Sequence, residues 1–122
     1  MAAVVIVDDS PQIRRLLRVM LESRGHLVRE AEDGLVGWHL LQAEPPDLIL
    51  LDLGMPGPSG FAVLREIRAD VRFATLPVIV LTADGKLESE ERARDEGASG
   101  FMVKPFSPIA LTIMIDRLLQ PS

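Results

Sequence analysis

Short apolar runs of strand length alternate along the whole chain with longer segments of helical period, and that alternation decides the fold class. Val4 to Val7 is a β-branched run without a polar break, the pattern of a strand buried on both faces. Leu48 to Leu51 is the most apolar run and predicts the central strand. Val78 to Leu81, after Pro77, and Gly100 to Val103 predict two more. Leu27 to Ala31 is more polar and suits a sheet edge.

The intervening segments read as helices. Ser10-Pro11 is an N-cap followed by proline in the first turn. Ile13, Leu16, Leu17, Met20 and Leu21 then form one apolar stripe before Gly25. Asp33-Gly34 opens a second helix with Val36, Leu40 and Leu41, stopped by Pro45-Pro46; Trp38 on it is expected to pack rather than bind a ligand. Gly37 interrupts this helix at a cost of ~1 kcal/mol relative to alanine, which implies close approach to the sheet. Gly54 to Gly60, rich in glycine and proline, predicts a loop. Phe61, Leu64 and Ile67 mark a third helix, Glu88 to Glu96 a charged fourth one ended by Gly97, and Pro108 to Leu119 the last. A (βα) unit repeated five times, with right-handed crossovers, gives a doubly wound parallel α/β sheet between two helical layers. Gln120-Pro121-Ser122 reads equally as a bare end or the stub of a linker.

The strand ends carry the chemistry. Asp8-Asp9 follows the first run, Asp52 the third, Thr82 the fourth and Lys104 the fifth. Parallel strands point these ends the same way, so carboxylates, a hydroxyl and an ammonium gather at one edge of an apolar core. Such a group suits a divalent cation and a phosphoryl group. Three converging carboxylates raise one another's pKa values, and a hard dication relieves the repulsion. Taken alone, Asp8-Asp9 fits ordinary surface carboxylates at a strand end equally well.

Composition removes other classes. At 122 residues the chain suits one domain, residues 1–122, with no effector domain in it. A net charge of −5 and no basic patch argue against direct nucleic-acid contact. The lack of cysteine excludes disulfides and zinc-thiolate sites. Met1 to Val7 is too short for a signal-peptide core, and no segment reaches the roughly 18 apolar residues of a membrane span. The expectation is a soluble, cytoplasmic protein without membrane contact.

Four stretches, V-V-I-V-D-D-S, D-L-I-L-L-D-L-G-M-P-G-P-S-G, P-V-I-V-L-T-A and G-A-S-G-F-M-V-K-P-F, together resemble the receiver domain of two-component response regulators over essentially the whole chain. The resemblance implies a flavodoxin-like three-layer sandwich with strand order 2-1-3-4-5 and a role as a phosphorylatable switch rather than a metabolic enzyme. It implies Asp52 as phosphoacceptor. Asp8, Asp9, Asp52 and the Gly54 backbone carbonyl would hold Mg²⁺, with Asp9 the more direct ligand and Asp8 acting through water. Thr82 and the Ala83 amide would bond the phosphoryl group, and Lys104 would pair with it. The Lys104-Pro105 bond would be cis. Phe101 matches the switch aromatic, expected to swing as Thr82 moves. The implied donor is a phosphohistidine on a histidine kinase or phosphotransfer protein, and the product an acyl phosphate that the receiver also helps to hydrolyse. Gly54 and Asp84, two residues after Asp52 and Thr82, match positions that tune its lifetime, with the Asp84 carboxylate expected near the attacking water.

Other classes fit less well. A constitutive docking module that does not use phosphate would normally have lost an acid, the acceptor or the lysine. A flavodoxin would carry a hydroxyl- and glycine-rich loop where this chain has D-D-S-P-Q, and a haloacid-dehalogenase-type phosphatase a D-x-D motif. His26 and His39 lack a phosphohistidine context and are expected at the surface. In the last helix Leu111, Ile115 and Leu118 form the core stripe. Ile109, Ile113 and Met114 extend it and predict a contact face, with the fifth strand, for a second copy or a downstream protein.

Overall fold

A computed structural model describes residues 1–55 and 59–120. Part of the expected Gly54 to Gly60 loop, residues 56–58, and the last two residues lie outside the described residues. The strands are β1 (Ala3–Val7), β2 (Leu27–Ala31), β3 (Leu48–Asp52), β4 (Val78–Thr82) and β5 (Gly100–Val103). All pair in parallel, in the order β2-β1-β3-β4-β5. The helices are α1 (Pro11–Ser23), α2 (Gly34–Ala43), α3 (Gly60–Ala69), α4 (Leu87–Asp95) and α5 (Pro108–Leu119), with a 3₁₀ turn at Val71–Phe73. The doubly wound, flavodoxin-like sandwich is thus the observed fold.

Alternation within each strand divides the core. Val5, Val7, Ile49, Leu51, Val78 and Val80 face α2, α3 and Ala93 of α4, whereas Val4, Ile6, Leu48, Leu50, Ile79 and Leu81 face α1 and α5. Strands buried on both faces need no polar positions, which explains their near-continuous apolar reading. Gly37 has the expected reason: a Cβ there would lie 2.7 Å from Val7 Cγ2, so α2 sits directly on β1. Trp38 packs edge-on against Phe73, with ring centroids 5.9 Å apart.

Several side chains depart from the expected stripes. Leu16 and Val36 are exposed, because the buried arc is narrower than their helical periodicity suggests: Leu17 and Leu21 fill it on α1, and Gly34, Gly37 and Leu41 on α2. Ile109 and Ile113 are exposed as expected, at 74% and 54%. Met114 is not: it is half-buried against the α1/α5 core and covers Gly100, where a Cβ would lie 2.5 Å from its sulfur. His39 is exposed, but His26 is half-buried, and its Nδ1 accepts the Ala2 N–H at 3.1 Å.

The C-terminal end of α4 is fastened to α3. Arg65 Nε pairs with Glu96 Oε1 at 3.1 Å, and the Arg92 guanidinium lies 3.9 Å from the centre of the Phe61 ring. Arg68 donates to the carbonyls of Gly97 and Phe73, both at 2.8 Å.

Candidate functional site

Sheet register brings the acids together. Val7 pairs with Leu51 across β1 and β3, so Asp8 and Asp52 are the next residues on adjacent strands. On the other side Thr82 pairs with Val103, and Lys104 follows at the same edge. Carboxylate oxygens of Asp8, Asp9 and Asp52 all lie within 4.8 Å of one another. Asp8, Asp52 and Thr82 are buried, while Asp9 faces solvent.

Each group has a distinct set of partners. Asp8 Oδ1 accepts the Ser10 N–H at 2.8 Å, and Oδ2 accepts Lys104 Nζ at 2.6 Å. Lys104 Nζ also lies 3.6 Å from Asp52 Oδ2. Asp52 Oδ1 accepts the Gly54 N–H at 3.0 Å. The Lys104 N–H donates to the Thr82 carbonyl at 2.7 Å, and the Lys104–Pro105 bond is cis. Ala83, between Thr82 and Asp84, is exposed.

Sequence periodicity gave no sign of Arg14. It lies one turn into α1 and donates through Nη1 to the Asp8 carbonyl at 2.7 Å, bracing the Asp8-Asp9 turn. Asp84 makes contacts that the sequence did not announce. Its carboxylate accepts the Lys86 N–H at 3.0 Å and the Ser89 hydroxyl at 2.6 Å, so it is engaged by the start of α4. Those two bonds, Ser89 first, hold its pKa below the ordinary carboxylate value. Phe101 is half-buried at the edge of a depression of about 430 Å³ between α4, β5 and α5, where Glu90, Arg94 and Met114 also lie.

Burial is the main cause that raises the Asp52 pKa, and the neighbouring Asp8 charge adds to it; the Gly54 N–H and Lys104 oppose the rise. The charged form is therefore disfavoured in the folded protein. Stability should fall as pH rises from the ordinary carboxylate pKa through the raised folded value, and the full penalty remains above it. In metal-free buffer at neutral pH, Asp52→Asn should therefore be more stable than the native chain. Urea unfolding midpoints measure this, and a midpoint lowered by the substitution would contradict it.

The arrangement is a cleft of hard oxygen donors with one ammonium, open to solvent at Asp9. Residues 4–116 match the response regulator receiver domain. The chain belongs to that family. It is 36% identical to protein PilH of Pseudomonas aeruginosa over 98% of both chains. It is 35% identical to chemotaxis protein CheY-3 of Vibrio cholerae, covering 96% of this chain and 91% of that one. A DNA-binding dual master transcriptional regulator, RpaA of Synechocystis, is 38% identical over 98% of this chain, which spans only 50% of that relative's length. The crystal structure of Vibrio cholerae CheY4 superposes with a TM-score of 0.92 at 33% identity, covering 98% and 99% of the two chains. Receiver domains are signalling switches of two-component systems, not metabolic enzymes; phosphorylation and Mg²⁺ are typical of them, and they interact with histidine kinases or phosphotransfer proteins. Among the described residues, no helix is long and apolar enough to cross a membrane.

Proposed function

We propose that this receiver, residues 1–122, accepts a phosphoryl group on Asp52 from a phosphohistidine of a histidine kinase or phosphotransfer protein in the cytoplasm, and that Thr82 and Phe101 convert the event into altered protein contacts. The observation that carries the reading is the convergence of Asp8, Asp9 and Asp52 within 4.8 Å beside Lys104.

The donor set fits Mg²⁺, which favours carboxylate oxygens and water. Both Asp8 oxygens already accept protein donors, while exposed Asp9 is open to a direct bond; this supports Asp9 as ligand and Asp8 as its partner through water. Asp52 and the Gly54 carbonyl complete the proposed set. When bound, Mg²⁺ supplies positive charge opposite the phosphoryl oxygens.

The chain's own residues do the rest. An Asp52 carboxylate oxygen attacks phosphorus as the bond to the histidine nitrogen breaks, and the freed imidazole stays with the donor. Lys104 stands 3.6 Å from Asp52, close enough to shift from Asp8 towards phosphoryl charge. The Thr82 hydroxyl and Ala83 amide are the remaining donors. Gly54 offers no side chain to shield the acyl phosphate from water.

Acetyl phosphate with Mg²⁺ should add one phosphoryl mass to the native chain. A chelator should abolish the adduct, and Asp9→Ala should mimic the chelator. Labelling of Asp9→Ala at the native rate would remove the acid pair from the metal site.

The partner face is proposed on α5 and β5. Ile109 and Ile113 are exposed there, and covering each is worth roughly 1–3 kcal/mol. We assign this face to a second copy or a downstream protein, bound more tightly after phosphorylation. Sedimentation should show a dimer with beryllofluoride and Mg²⁺ that Ile113→Glu prevents. A monomer in both states would leave a different protein as the partner.

A further inference from the structure

Helices α1, α2, α3 and α5 each begin with a serine or aspartate whose side chain accepts an N–H from the helix's own first turn. Helix α4 does not: Lys86 stands at its cap position without a side-chain cap bond. Asp84 serves instead from two residues earlier, holding the Lys86 N–H with Oδ1 and the Ser89 hydroxyl with Oδ2. The same residue donates its backbone N–H to Thr82 Oγ1 at 3.1 Å. Hydrogen bonds therefore run without a gap from a buried hydroxyl at the end of β4 to the first turn of α4.

We propose that Asp84 is a positioning residue that couples the Thr82 hydroxyl to α4, so that the helix start follows the state of Asp52. The proposal rests on the assignment of Thr82 as a phosphoryl donor. A hydroxyl can donate its proton to a phosphoryl oxygen while one lone pair still accepts an N–H. Movement of Thr82 Oγ1 towards Asp52 then carries the Asp84 backbone with it. The two bonds at the Asp84 carboxylate are charge-assisted and stronger than neutral ones, so they transmit the displacement to Lys86 and Ser89. With its carboxylate engaged in this way, Asp84 governs where α4 begins.

The test uses the full chain, isotope-labelled, with Mg²⁺ and beryllofluoride as the phosphoryl mimic. In Asp84→Ala, amide exchange at Lys86 should quicken roughly two- to tenfold, the range for one hydrogen bond. A mere cap would show that too. The distinguishing readout is the beryllofluoride-induced change in the amide signals of Lys86 and Ser89, which should be lost in Asp84→Ala and weakened in Ser89→Ala. Asp84→Asn, which retains an oxygen for Lys86 and an N–H for the serine oxygen, should restore it. Ser89→Ala should still gain one phosphoryl mass from acetyl phosphate at the native rate. If the native chain is labelled and α4 responds alike in native and Asp84→Ala proteins, the coupling is overturned while the phosphoacceptor reading stands. If the native chain gains no phosphoryl mass, the phosphoacceptor reading falls and takes the coupling with it.

Discussion

Asp52→Asn should take up no phosphoryl group from acetyl phosphate under conditions in which the native chain gains one phosphoryl mass. An amide oxygen is a far weaker nucleophile than a carboxylate, and the substitution also removes the charge of one of the three carboxylates that converge within 4.8 Å. The fold should survive, because Asn keeps the shape of Asp and an acceptor for the Gly54 N–H. Loss of labelling in a stably folded protein therefore reports chemistry and not unfolding. Intact-mass spectrometry beside a circular-dichroism melt reads both. An adduct of unchanged yield on Asp52→Asn would move the acceptor elsewhere, with exposed Asp9 the next carboxylate to examine.

Lys104→Met should give the largest loss of stability among the site substitutions. Lys104 Nζ is 2.6 Å from Asp8 Oδ2, and the Asp8 side chain is only 1% exposed. Removing the ammonium leaves a buried carboxylate without its cation, for which about 3 kcal/mol is the lower end of the usual cost. The Ser10 N–H on Oδ1 remains and limits the damage. Mg²⁺ should recover part of the loss, since a dication at Asp9 and Asp52 offsets some of the unpaired charge. Urea unfolding with and without Mg²⁺ measures both effects. A native-like midpoint in metal-free buffer would show that the Lys104–Asp8 pair contributes little.

The strand-level plan was legible because it depends on patterns along the chain. A run such as Val4 to Val7 or Leu48 to Leu51, short and apolar at every position, fits a strand covered on both faces. Once β1 and β3 are neighbours, the step after Val7 and Leu51 brings Asp8 and Asp52 side by side. Gly37 was legible for the same reason: its lack of a side chain is a local sign of a long-range contact, here with Val7. What escaped depends on side-chain direction and on partners distant in sequence. Lys104 lies closer to Asp8 than to the proposed acceptor Asp52, a preference set by rotamers at two strand ends. Asp84 turns towards Ser89, five residues on, and nothing in its neighbours' identities announces that. Arg14 braces the Asp8 carbonyl although it reads as an ordinary polar position on an amphipathic helix. Met114 shares a helical arc with Ile113 but meets a glycine on β5 and folds inward. Periodicity ranks positions around a cylinder; it does not locate the gap into which one of them falls.

Arg65 and Arg68 of α3, with Arg92 of α4 itself, also give α4 a mechanical character. Arg65 on Glu96, Arg68 on Gly97 and Arg92 over Phe61 pin it at one extremity, and the other is held through Asp84. A rod pinned in this way is a lever whose fulcrum sits at Glu96 and Gly97. Nine residues make an arm of about 13 Å, so a tilt of only ~5° carries the Lys86 end sideways by about 1 Å. Such a tilt would be felt most where the β4–α4 connection enters and least where the chain turns into β5.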